Sequence, residues 1–333
     1  MQPINRRTLI ALAGLGAACL TGNTAGAETY PSRPITVLVP FAAGGGVDLI
    51  ARLLTQPLQK SLGQPVIVEN MTGAGGTLAV SRVVHAAPDG YTLSLGDQTS
   101  HVSSSAIFPV RYDVLRDLEP VAMLTSNPQV FVGRSTLAAK DLPALLAWLK
   151  DNPGRGTLGL PGTVGSGGHL TGIEFQNLTK TRLAFIPYQH GGGQAILDLV
   201  GGHVDLLFVD ASSALPYIRS GQVRAYGIAS THRWAAAPEI PTMAENGVPL
   251  QFSLWRGLWA PKGTPKDVIA KLNAAVVAAF ADPGVRERIA ALGQEIPPAE
   301  QQTPTALATF QRAQTEKWWP IIKAANISNA GAH

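Results

Sequence analysis

Two patterns of apolar positions alternate along the chain. Short unbroken apolar runs, such as residues 35–39, predict strands buried on both faces. Apolar residues three or four apart, such as Ile50, Leu54, Leu58 and Leu62, predict amphipathic helices. The first run leads through the loop 41–48 to a helix over 49–62, which Gly63 ends. A strand over 66–68, the loop 72–76, a helix over 77–87 and a strand over 91–95 repeat the cycle. After Asn127-Pro128 the order restarts. Strands are predicted over 130–132, 157–160, 183–188, 204–209 and 223–229, and helices over 141–150, 170–178, 194–200 and 212–219. A strand over 253–259 and helices over 268–280, 285–292 and 305–325 follow. This alternation predicts an α/β fold of parallel sheets with helices on both faces.

The first residues do not belong to that fold. Arg6 and Arg7, an uncharged apolar stretch over 9–20 and the small triplet Ala25-Gly26-Ala27 form the three-part pattern of a secretory signal peptide, with Glu28 opening the mature chain. The stretch falls short of the roughly 20 apolar residues of a membrane span. The paired arginines leave a twin-arginine route open beside the general one. Removing residues 1–27 from the 333-residue chain leaves 306, enough for two domains. Both leader arginines go with it, so 24 basic residues face 22 acidic ones and the mature charge is +2. With no Lys/Arg stripe, nucleic acid is not an expected partner. The only cysteine, Cys19, lies in the leader, which excludes disulfides and thiolate metal ligands from the mature chain.

The chemistry is concentrated in glycine-rich loops that join a strand to a helix. Residues 41–48, 72–76 and 161–168 carry no Lys or Arg. A helix N-terminus presents unpaired N–H groups and positive potential, and glycine lets a ligand approach the backbone. Such loops suit a carboxylate held by backbone donors and hydroxyls. One such loop alone is equally well explained as turn chemistry; several in one chain favour a joint function. Asp48 is expected to cap the helix at Leu49. His169 either lines a cleft or bonds backbone at a helix start, and Tyr188 either walls a pocket or sits at a core edge. Arg256, between Trp255 and Gly257, either pairs a second ligand carboxylate or is solvated or structural, the second being commoner. Trp318-Trp319 is expected to pack. The nucleotide loop GxxxxGK[ST], the hydrolase elbow GxSxG and HExxH are absent from the sequence, and Gly73-Ala-Gly75-Gly76 does not complete GxGxxG because Leu78 takes the last position.

An ordered set of segments then points further. The chain carries Tyr30-Pro-Ser-Arg-Pro-Ile35, Pro40-Phe-Ala-Ala-Gly-Gly-Gly-Val-Asp48, Gly73-Ala-Gly-Gly76 and Pro88-Asp-Gly-Tyr-Thr-Leu93. Later come Gly165-Ser-Gly-Gly-His-Leu170, Pro187-Tyr188, Asp198-Leu-Val-Gly-Gly202 and Ala260-Pro-Lys-Gly-Thr-Pro265. Across the mature chain this resembles the periplasmic solute-binding receptors of tripartite tricarboxylate transporters, the Bug receptors. The resemblance implies two doubly wound α/β domains joined by a hinge, the type II periplasmic binding fold. The expected division is a signal peptide over 1–27, a discontinuous domain 1 over 28–127 and 230–333, and domain 2 over 128–229. It further implies a non-enzymatic binder that closes on a small carboxylate and presents it to membrane permease subunits. A monomer without cofactor or metal is expected. By matching motifs the ligand would meet Phe41, Ala43 and Gly44 on one jaw and Ser166, Gly167, Gly168 and His169 on the other. Tyr188 and Gln189, and with a weaker match Thr99, Ser100 and Asp210, join them. Gln189 departs from the family, which usually has Lys there, so this loop lacks a positive charge. A sensory receptor and an exported hydrolase are the alternatives.

Overall fold

The computed structural model describes residues 29–162, 165–188 and 192–327. The expected leader and Gln189 lie outside them. The first half follows the predicted cycle. Strand β1 (Ile35–Val39) leads to helix α1 (Gly46–Leu62), β2 (Val66–Asn70), α2 (Thr77–Val84) and β3 (Thr92–Asp97). A π-turn over Thr99–Ser103 runs into the short α3 (Ser104–Ile107), which the apolar spacing did not predict. The long strand β4 (Leu118–Arg134) then precedes α4 (Leu142–Asp151), β5 (Gly156–Pro161), α5 (Gly167–Thr179), β6 (Leu183–Tyr188), α6 (Gly192–Val200), β7 (Leu206–Asp210), α7 (Ala211–Arg219) and β8 (Val223–Ile228). Strand β9 (Ser253–Pro261) and helices α8 (Lys266–Ala281), α9 (Pro283–Ala291) and α10 (Pro304–Ala324) close the chain.

The strands form one curled sheet in the order β2-β1-β3-β9-β4-β7-β5-β6, with β8 also on β4. The expectation of parallel sheets is corrected. β1, β2 and β3 are parallel, as are β5, β6 and β7, but β4 and β9 run antiparallel to their neighbours. These two antiparallel strands tie the parallel sets together. β4 pairs with β9 from Leu118 to Pro128 and with β7 and β8 from Gln129 onward. The apolar pattern predicts only 130–132 of this strand, after Asn127-Pro128, and a proline cannot donate to a ladder. Pro128 sits where one set of partners hands over to the next, and Pro120 sits beside a register shift, so neither interrupts the strand.

Helix α1 buries Val47, Ile50, Ala51, Leu54, Leu58 and Leu62, the stripe expected of an amphipathic helix. Its stop is also as expected: Gly63 takes φ 75° and its N–H reaches the Gln59 carbonyl at 2.9 Å. One apolar cluster runs from Val80 and Val102 through Trp255 and Trp259 to Phe131 and Phe175, so the two strand sets share a core across β9.

Candidate ligand-binding site

Helices α1 and α5 both start three residues earlier than their apolar spacing suggests, and each extra turn opens on glycine, at Gly46 and Gly167. Glycine is a poor helix former, so a glycine run reads as loop. Here close packing requires it. A side chain at Gly46 would lie 3.0 Å from the Arg256 Nη2 atom, and one at Gly167 would meet Phe252 and Leu254 at 2.9–3.0 Å. Leu254 and Arg256 are two residues apart on β9 and therefore share one face, on the order of 7 Å apart. The N-termini of α1 and α5 thus converge on the same face of the same strand. The approach loop of α5 also reaches α3, because a side chain at Gly165 would strike Ile107.

Neither N-terminus is capped by a side chain. Helices α4, α7 and α10 carry such caps from Asp141, Asp210 and Thr303. Helix α1 begins from Gly45 with none, and Ser166 occupies the cap position of α5 without using its hydroxyl. The Ser166 Oγ atom is buried and has no partner, although capping an N–H is the ordinary task of a serine there. His169, in the first turn, accepts the Gly165 N–H on Nδ1 at 3.0 Å. That fixes the tautomer with its proton on Nε2. Burial holds the imidazole down to about 4, so it is neutral at physiological pH.

The loop before α1 is braced from behind. Asp48 was expected to cap a helix at Leu49; instead it is the third residue of α1 and reaches back. Its buried carboxylate accepts the Gly44 N–H at 2.8 Å, Arg52 Nε at 2.9 Å and Asn70 Nδ2 at 2.9 Å. Burial pushes the Asp48 carboxyl up, but these bonds and the Arg52 charge outweigh it and hold it below the usual range. Asn70 Nδ2 also donates to the Phe41 carbonyl at 3.0 Å. Ala43 and Gly44 stay exposed.

A buried polar floor lies beside the α1 N-terminus. Arg256 is 5% exposed, and its Nη1 donates to Asn127 Oδ1 at 2.8 Å and Gln294 Oε1 at 2.5 Å. The solvated option for this arginine is corrected: the strand holds it inside, beside Asp97, its partner in register on β3. Burial presses its pKa down, opposed by the charges of Asp210 and Asp97.

The remaining candidates are placed as follows. Thr99 opens the π-turn, half-buried. Ser100 is fully buried, and its hydroxyl bonds the Asp97 carboxylate at 3.2 Å and His101 Nδ1 at 2.9 Å. Serine, histidine and aspartate meet here, but the carboxylate holds the serine rather than the imidazole, the reverse of the order in a hydrolytic triad. Burial also holds His101 down to about 3. Tyr188 accepts the Gly162 N–H on its carbonyl at 3.0 Å, which sets it beside the α5 loop. Its hydroxyl donates to Asp198 at 2.8 Å and is pushed up to about 12 by burial and that carboxylate. Asp210 Oδ1 accepts from the Ser212 N–H at 2.9 Å and from its hydroxyl. Gly46, Asn127 and Gln294 were not foreseen. Only Arg256, a charge inside an apolar strand, carried a signal.

Residues 50–327 match the sequence profile of the tripartite tricarboxylate transporter family receptor. The chain belongs to that family. It is 38% identical over 317 residues to protein BugT of Bordetella pertussis, covering 94% of each chain. Its fold matches that of MatC from Rhodopseudomonas palustris with bound malate at TM-score 0.77 and 39% identity, covering 88% of this chain and 100% of that one. A second R. palustris protein, with adipate, matches at TM-score 0.77 and 27% identity over 89% of this chain and 98% of its own. The fold is therefore that of the family's solute-binding receptors, mixed α/β with a curled sheet.

Proposed function

We propose that this protein is an exported, periplasmic receptor that captures a small carboxylate between the N-termini of α1 and α5 and hands it to the membrane permease of a tripartite tricarboxylate transporter. The observation that carries the reading is the convergence of two helix N-termini, neither capped by a side chain, on one face of β9, with Ser166 Oγ buried and unpartnered at the head of α5. Backbone N–H groups at such termini hold an anion without a cationic side chain. Solved family members with malate and adipate bound favour a carboxylate.

The chain divides, on this reading, into one unit over 28–127 and 230–333 and another over 128–229, after removal of residues 1–27. The crossings are the β4 handover at Pro128 and the segment between β8 and β9. Ligand held by α1 on one unit and α5 on the other favours the closed form, because it binds that form better. The hydrolase alternative is disfavoured by the buried, wrongly ordered Ser100 cluster.

Melting of the mature protein against a panel of mono- and dicarboxylates tests the reading. A true ligand at 1,000 times its dissociation constant stabilises the fold by about 4 kcal/mol and raises the midpoint by several degrees. No shift with any carboxylate, in protein freed of retained ligand by unfolding and refolding, would overturn it.

A further inference from the structure

The polar floor contains more donors than it uses. Arg256 has five N–H donors and no acceptor. Because a guanidinium only donates, the amide oxygens of Asn127 and Gln294 must face it, which leaves the Asn127 Nδ2 group turned away. Gln98 is oriented by the same logic. Trp255 Nε1 can only donate, so Gln98 presents Oε1 to it at 3.0 Å and keeps Nε2 free. Arg256 Nε, Asn127 Nδ2 and Gln98 Nε2 are all buried, and none has a hydrogen-bond partner. All three are nitrogen donors, and Arg256 and Asn127 are at least nine-tenths buried. What satisfies them is an acceptor.

The placement of the charge is equally specific. Arg256 Nη2 abuts Gly46, the first residue of α1. A cation beside a helix N-terminus is the unfavourable arrangement, since the dipole is positive there. Asp48 offsets part of that potential, but it is spent on Gly44, Arg52 and Asn70 on the far side of the loop. Asp97 and Asp210 act on Arg256 electrostatically, yet it bonds only the neutral Asn127 and Gln294 among the described residues. An anion beside Arg256 and the α1 terminus would meet the guanidinium and the uncapped α1 N–H groups together.

We propose that Arg256 is a specificity-determining binding residue: it takes a second anionic group of the ligand, so that this receptor selects a dianionic acid over the matching monoanion. One carboxylate then lies at Ser166 and the α5 terminus and the other at Arg256 and the α1 terminus. The proposal rests on the receptor reading and adds to it a charge contact made by a side chain.

The test is calorimetric binding of diacids of four to six carbons and of their monoamides, malate and adipate among them. Amidation keeps the shape and removes one charge. The native protein is expected to bind its best diacid at least about tenfold more tightly than the monoamide. Arg256→Gln is expected to close that gap to within about threefold, while Arg256→Lys retains part of it. Equal affinity of the native protein for diacid and monoamide would overturn the assignment, as would a gap that survives Arg256→Gln or a response to monocarboxylates alone. The native comparison needs no variant and so decides the matter even if Arg256→Gln fails to fold. Binding of carboxylates without the gap removes Arg256 alone; absence of all carboxylate binding removes the receptor reading.

Discussion

Two residues at the same helix position separate structure from function. Asp141 caps α4 by accepting the Ala144 N–H at 2.8 Å, whereas Ser166 at the head of α5 leaves its buried hydroxyl unpaired. Asp141→Ala should therefore cost about 1 kcal/mol in a urea titration and leave affinity unchanged. Ser166→Ala should do the reverse: little change in stability, and binding weakened by about 1 kcal/mol, or roughly fivefold. A stability loss without an affinity loss would return Ser166 to the role of a cap. The buried histidines make a second distinction at this scale. His169 and His101 titrate at about 4 and about 3 in the fold, below the usual 6.5, because burial disfavours the imidazolium. An unfolded chain then binds protons that the fold refuses, so their contribution is complete above pH 6.5. It is lost as the pH falls through 6.5 towards 4 for His169 and towards 3 for His101. Urea midpoints from pH 8 to 4 should show this decline, and His169→Gln should make it shallower. An identical slope in the variant would show that His169 titrates normally.

The alternation of strand and helix was legible because burial on both faces writes unbroken apolar runs and burial on one face writes a three-to-four spacing. Strand β6 was bounded as the structure has it, and most helices within a few residues. What was not legible follows from context. β4 runs through Pro120 and Pro128, and only its partners, invisible in one sequence, show that neither proline removes a needed bond. Its antiparallel direction, and that of β9, is likewise a property of pairing. The π-turn at Thr99–Ser103 has no apolar period; it is held by Asp97 and Ser100 bonding each other, at 3.1 Å from the Ser100 N–H to Asp97 Oδ1. The glycine loops were readable as candidate jaws from their composition. That Gly46 and Gly167 lie inside helices, pressed against Arg256 and Leu254, depends on β9, some ninety residues or more away in the chain. Separation along the chain also hid Asn127 and Gln294, 129 and 38 residues from Arg256 and ordinary polar residues until it brings them together.

At the scale of the whole molecule the question is how two units close on a ligand. Gly165 on the α5 approach comes up against Ile107 of α3, and Lys317 of α10 bridges to Glu174 of α5 at 3.0 Å. Both contacts cross between the units proposed above, so closure requires the Gly165 loop to meet α3 without a side chain in between. Gly165→Ala would place a methyl group against Ile107 and should hold the cleft ajar. Gly165 also takes φ 83°, so any side chain there is strained regardless of its neighbours. Gly154 separates the two effects: its φ is 76°, and a side chain there meets nothing within 4 Å. Gly154→Ala should lose about 1 kcal/mol of stability, bind normally, and contract on ligand addition in small-angle scattering as the native protein does. Gly165→Ala should lose a similar stability, bind more weakly, and keep its ligand-free radius at ligand concentrations that compact the native chain. Normal contraction in Gly165→Ala would place the closing contact elsewhere, and the Lys317–Glu174 bridge would then be the next pair to cut.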